Sequence, residues 1–338
     1  MQVPAQQLAA NRIQQPGASS QPALNPPRAI AVLATGGTIA GLAPKASGAD
    51  GYVAAQVGVA DLLAAAGLSA DVRVHAEQVA QIDSKDMRRE VWIELGRRCR
   101  HWLARDEVQG VVITHGTDTI EETAYFLQRV LAPTKPVVLT CAMRPSNAVS
   151  ADGPRNLFDA ALVALDGRAQ GVSVVCAGLI HASPHVRKSH TQRLDAFTSG
   201  DAGPWGCVTG ETVISYKNGA LASVDSGDVD IEKIASRAWP RVEVVTNHAD
   251  ADGAIVDALL AVGVQGLVVA GTGGGSVSER LDEALHRAAA QGVGVLRSTR
   301  CAAGPVLPTP GRDFDVAGDL TPAKARVALQ LALMKVGG

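Results

Sequence analysis

The sequence predicts an α/β protein of two domains, the larger N-terminal one built on a mainly parallel, doubly wound sheet. From Arg28 onward short apolar runs alternate with amphipathic stretches, the pattern of strands buried on both faces and joined by crossover helices. The 338-residue chain is 46% hydrophobic and carries 35 glycines, so it can bury a large core, and its length favours two domains over one. The periodicity also fades between Tyr216 and Pro240, a polar, glycine-bearing stretch that reads as a connection.

Residues 1–27 contain six glutamines, five prolines and a single charge, and are expected to form a disordered extension. The N-terminal domain is expected over 28–215, the connection over 216–240 and a smaller α/β C-terminal domain over 241–338. AIAVLA, GVVIT, PVVLT and GVSVVCAG supply strands to the first domain, and VEVVT, GLVVAG and GVGVLRS to the second. TIEETAYFLQRVL reads as a helix whose first turn pairs Thr119 with Glu122 in a capping box, with Ala124, Leu127 and Leu131 on one face. Thr321 and Pro322 open a final helix, TPAKARVALQLALMKV, with proline where its missing N–H does no harm.

Several function classes fall away on composition. A net charge of -2 and a pI near 6.4 offer no general attraction for nucleic acid or an anionic membrane. The five cysteines are odd in number and widely spaced, without CxxC, so neither a disulfide framework nor a zinc knuckle is indicated. His181, His185 and His190 are interrupted by Pro184 and lack a carboxylate at ligand spacing, so no metal or other cofactor is expected. No apolar run is long enough for a signal-peptide core or a membrane span, which places the chain in the cytoplasm as an expectation.

Two turns carry the chemistry. ATGGTIAG follows the first strand and ITHGTDT follows a later one, both at the carboxyl end where open parallel sheets bind ligands. Gly36, Gly37 and Gly116 permit close backbone approach, and the helix beginning near Thr119 directs its positive end to the same place. Such a pocket suits a carboxylate or a developing oxyanion. The purely structural alternative is a tight strand-to-helix turn with Thr38 as N-cap. A dinucleotide site is disfavoured because the spacing is not GxGxxG, and a P-loop because GK[ST] is absent.

The paired segments ATGGTIAG and ITHGTDTIEETAYFL resemble the signatures of the bacterial L-asparaginases, and CAMRPSNAVSADGPRNL, VRKSHTQRLDAF, VVAGTGGGSVSE and VLRSTR continue the likeness in order from about Arg28 to Val336. The resemblance implies a flavodoxin-like C-terminal domain, a homotetramer, and hydrolysis of asparagine to aspartate and ammonia through a threonine acyl-enzyme. By position it makes Thr35 the nucleophile, with Tyr52 relaying its proton from a lid flanked by Gly48 and Gly51. Thr117, Asp118 and Lys188 form a second set, in which a buried lysine supported by the aspartate polarises a threonine or a water. Without the resemblance, Lys188 reads as an exposed lysine in a basic loop with Arg187 and Arg193.

Ser84 would hold the substrate's α-carboxylate, Asp118 its α-ammonium, and Ser276 would reach a neighbouring subunit's site. Two departures stand out. Lys85 replaces a glutamine or glutamate and, if it points inward, repels the α-ammonium; the alternative is an outward pairing with Asp83 or Asp86. The family's interface glutamate has no clear counterpart near Pro308 to Asp313. Competing readings are a glutaminase-asparaginase of broad amide specificity and a catalytically silent amino-acid-binding protein.

Overall fold

A computed structural model describes residues 28–44, 51–217, 229–311 and 314–336. The expected N-terminal extension, Gly48 of the expected lid, much of the connection and Asp313 lie outside the described residues. The first part runs β1 (Ala29–Gly36), α1 (Val59–Ala66), β2 (Arg73–Ile82), α2 (Arg89–Leu103), β3 (Val108–Thr114), α3 (Ile120–Leu131), β4 (Pro136–Thr140), α4 (Gly153–Leu165) and β5 (Gly171–Cys176). It closes with the short strands β6 (Leu179–Ala182), β7 (Arg187–Lys188), β8 (Phe197–Thr198), β9 (Gly206–Thr209) and β10 (Thr212–Ser215). The second part comprises α5 (Ile231–Ala235), β11 (Val242–Thr246), α6 (Ala254–Ala261), β12 (Gly266–Gly271), α7 (Glu279–Ala290), β13 (Gly294–Thr299), β14 (Asp315–Val316) and α8 (Pro322–Val336).

The large sheet has the order β10-β9-β6-β5-β4-β3-β1-β2, parallel from β2 to β5 and antiparallel beyond. Along β1, Ala31 and Leu33 join the core under α2 and α3, while Ile30 and Val32 join the core under α1 and α4. Burial on both faces explains why the strand reads as an unbroken apolar run. The strand order reverses between β1 and β3, so their carboxyl ends diverge into the crevice where such sheets hold ligands. The small sheet, β11-β12-β13-β14, is parallel throughout and does not reverse.

β2 escapes an apolar-run search because it is an edge strand: RVHAEQVAQI alternates between exposed and half-buried positions. The short antiparallel strands β6, β9 and β10 escape it for want of length. The capping box does not form. Thr119 makes no side-chain bond to its own helix and donates instead to the Ser84 carbonyl at 2.8 Å. Glu122 turns toward the second domain, where burial pushes its carboxyl up to about 7 against the pull of Arg326.

α8 joins the two parts. Val327, Leu331 and Met334 enter the core beneath α2 and α3, while Ala325, Leu329 and Leu333 pack on Val242 and Val268 of the small sheet. The apolar surplus of VALQLALM, which from sequence suggests a subunit interface, is therefore spent within the chain, between its own domains.

Candidate active site

β1 leaves the sheet through two glycines in the left-handed region, Gly36 at φ 103° and Gly37 at φ 79°. The ladder still owns Thr35. Its side chain is 1% exposed, and its hydroxyl donates to the Thr114 carbonyl of the neighbouring strand at 3.0 Å. The expectation that Thr35 presents a free hydroxyl is corrected on this ground: strand pairing has consumed it. Thr38, the first residue beyond the glycines, places Oγ1 2.7 Å from the Tyr52 hydroxyl. Tyr52 is held there by a short antiparallel bridge, in which Leu42 and Val53 exchange both backbone hydrogen bonds at 2.9 Å.

The second turn meets the first through glycine. A Cβ on Gly37 would fall 2.3 Å from the Gly116 Cα, and one on Gly116 would fall 2.4 Å from the Ser84 Oγ. Only residues without side chains allow this approach, and Thr38 and Thr117 each immediately follow one of the touching glycines. Ser84 is buried, and its Oγ accepts the Asp118 backbone N–H at 3.2 Å. Lys188, on the two-stranded β7–β8 ribbon, donates to Thr117 Oγ1 and to Asp118 Oδ1, both at 2.7 Å. Asp118 forms the open rim, its side chain 50% exposed against 22% for Lys188. The bland reading of Lys188 as a loose surface residue does not hold.

Lys85 faces away from this cluster. Its side chain is 61% exposed and its Nζ lies 2.7 Å from Asp83 Oδ2 and 3.2 Å from Asp86 Oδ2, with Asp83 first and then Asp86 raising its pKa. The substrate-contact expectation for Lys85 is thereby corrected in favour of its outward alternative: two local carboxylates hold the ammonium at the surface. Ser276 sits in the small domain, in the turn after β12, where its backbone exchanges hydrogen bonds with Thr272. The three histidines serve separate partners. His181 bonds Ser199 Oγ, His185 pairs with Asp319, and His190 accepts the backbone N–H groups of Gln192 and Arg193.

Sequence reasoning passed over His115, which lies inside the second motif. A carbonyl only accepts, so the 2.7 Å contact with Gly116 O puts the imidazole proton on Nδ1. Nε2 then accepts from Thr123 Oγ1 at 3.0 Å, and Thr123 accepts from Trp92 Nε1 at 2.8 Å. This fully satisfied chain fixes the peptide on which Thr117 is mounted. Its sequence signal is faint: a histidine beside the motif glycine, eight residues before a threonine on the inner face of α3.

A match to the family model described as "Asparaginase, N-terminal" spans residues 29–221, and one to "Glutaminase/Asparaginase C-terminal domain" spans 241–337. The chain is 36% identical to L-asparaginase 2 of Bacillus subtilis, over 90% of this chain and 82% of that one. It is 38% identical to the glutaminase-asparaginase of Pseudomonas fluorescens biotype A, over 90% and 86%. The crystal structure of a probable cytoplasmic L-asparaginase from Campylobacter jejuni superposes with a TM-score of 0.85 at 38% identity, covering 90% of this chain and 95% of that one.

Burial lowers the His115 pKa to about 4, with its bond to Gly116 opposing the shift. The unfolded chain therefore binds a proton at this residue between about pH 6.5 and 4 that the native state refuses, so stability falls as pH drops through that window. From pH 7 to pH 5 this group should cost about 2 kcal/mol, and His115→Gln should lose correspondingly less stability than the parent over the same interval. Denaturant melts at the two pH values read the difference; parallel losses would show that His115 is protonated in the native state.

Proposed function

The chain belongs to the asparaginase/glutaminase family, and on that premise we propose that it hydrolyses the side-chain amide of L-asparagine to L-aspartate and ammonia. The observation that carries the reading is the 2.7 Å Thr38–Tyr52 contact, one residue from the glycine junction with the Thr117–Asp118–Lys188 cluster. A threonine hydroxyl attacks only if its proton is drawn off. Tyr52 accepts that proton as its own moves on, so Thr38 Oγ1, and not Thr35, forms the bond to the amide carbon. The C–N bond then breaks, the nitrogen takes the relayed proton and leaves as ammonia, and water cleaves the resulting ester to free Thr38.

Lys188 acts on the second hydroxyl. By donating to Thr117 Oγ1 it withdraws electron density and strengthens the Thr117 hydroxyl as a hydrogen-bond donor to the leaving nitrogen, whose transferred proton is the one relayed from Thr38 through Tyr52. Asp118 holds Lys188 and offers a carboxylate to the substrate's α-ammonium, while Ser84 lines the adjoining α-carboxylate position. This division of labour requires no cofactor.

Glutamine is a second reading, supported by the 38% identity to a glutaminase-asparaginase, since one added methylene is only modestly rejected by most pockets. Ser276 stands in the other domain, and we assign it to the site of a second copy, within a homotetramer. A cavity of about 500 Å3 lined by Gly274, Arg297, Leu307 and Asp315 opens on that side, and Leu307 is exposed there. A cytoplasmic location is supported by the Campylobacter relative, and no helix among the described residues is long and apolar enough to cross a membrane.

Thr38→Ala should lower kcat for asparagine by about 1,000-fold or more, and mass spectrometry should place any trapped acyl group on Thr38. Thr35→Val should instead cost stability, about 1 kcal/mol for one buried hydrogen bond, and keep measurable turnover. An adduct on Thr117, or a fully active Thr38→Ala, would reject the assignment. Light scattering at assay concentration should read a tetramer; a monomer with full activity would contradict the role given to Ser276.

A further inference from the structure

Lys324 is the third residue of α8 and is 0% exposed, among the largest fully buried side chains of the chain. A lysine in the first turn of a helix ordinarily reaches water. This one points between the domains, where its Nζ donates to the Pro184 carbonyl at 2.9 Å and to the Val186 carbonyl. Those carbonyls belong to the turn that feeds β7, so the second lies two residues before Lys188. Its side chain would be replaceable by an apolar one only by leaving two buried carbonyls unpaired.

Glu121, three residues after Asp118, lies within electrostatic reach of the ammonium. Its Oε2 is buried with no hydrogen-bond partner, and Lys324 is the foremost charge acting on it, ahead of Arg187. Burial brings Lys324 down to about 8, with Glu121 and then Asp319 opposing the shift. The small domain thus supplies one cation that binds the turn before Lys188 and acts on Glu121, in the helix that follows Thr117 and Asp118. None of these contacts touches the pocket where substrate would lie.

We propose that Lys324 is a positioning residue for the hydrolytic site, a device by which the C-terminal domain sets the placement of Lys188 against Thr117 and Asp118. The inference rests on the catalytic reading of those three residues. A merely structural lysine would matter only through stability, and that difference is measurable.

Lys324→Met leaves the Glu121 carboxylate buried without its cation, so a second variant, Lys324→Met with Glu121→Gln, removes the stranded charge and preserves a folded protein for assay. The double variant should regain the part of the melting temperature lost to the stranded carboxylate, while the two unpaired carbonyls still cost stability and its kcat for asparagine stays about 100-fold down, with KM changed by less than about threefold. Adding Lys324→Met to Lys188→Met should cause no further loss of kcat, because the first acts through the second. Recovery of kcat together with melting temperature, or multiplicative losses in the Lys188→Met background, would overturn the proposal. A crystal structure of the double variant reads it without activity: Lys188 Nζ displaced from Thr117 Oγ1 supports it, and an unchanged 2.7 Å contact refutes it. Wild-type turnover of asparagine tests the hydrolytic reading separately.

Discussion

The site depends on a contact between two backbones. Gly37 and Gly116 approach so closely that no side chain fits between them, and this brings the exits of β1 and β3 together at the reversal of strand order. Van der Waals contact between glycines contributes little energy by itself. Its value is geometric: Thr38 and Thr117, far apart in sequence, emerge from adjoining turns, each with a hydrogen-bond partner at 2.7 Å. Left-handed φ values at Gly36 and Gly37 turn the chain out of the ladder just before Thr38.

Around that junction the fold supplies support from several directions. From behind, the Trp92–Thr123–His115 chain orients the Gly116 peptide. From the side, the Ser84 turn is tied to the second motif by the Asp118 N–H and by the Thr119 hydroxyl. Through α8, which shares its apolar residues between both cores, the small domain reaches the turn before Lys188. The Thr38 and Thr117 side chains are buried and Asp118 is half open, so the charged rim of the cluster is the part that meets water.

Much of this was legible in the sequence, for identifiable reasons. Central parallel strands such as β3 and β4 are buried on both faces and cannot avoid reading as apolar runs. The glycines of the two turns stand out because only glycine meets their backbone demands. That the Thr35 hydroxyl is committed to the Thr114 carbonyl and the Thr38 hydroxyl to Tyr52 was not legible from spacing, since it depends on where β1 stops pairing. The pair of glycines does hold the clue: a threonine before them still belongs to the strand, and one after them does not. For Lys85 the sequence offered both settings, and its neighbours Asp83 and Asp86 outweigh the family position. Lys324 and the Thr119 hydroxyl were hidden because their partners lie in distant segments and no local pattern announces them.

If backbone contact between the two glycine turns sets the proposed reactive pair of Thr38 and Thr117, Gly37→Ala disturbs it at its origin. The added methyl group would meet Gly116 backbone atoms at 2.3 and 2.4 Å. Steady-state asparagine hydrolysis and far-ultraviolet circular dichroism should be measured on the same preparation. Native secondary structure is expected with kcat reduced by about 100-fold or more, as follows when reacting groups are displaced by roughly an ångström. A folded Gly37→Ala protein with kcat within twofold of the parent would contradict it.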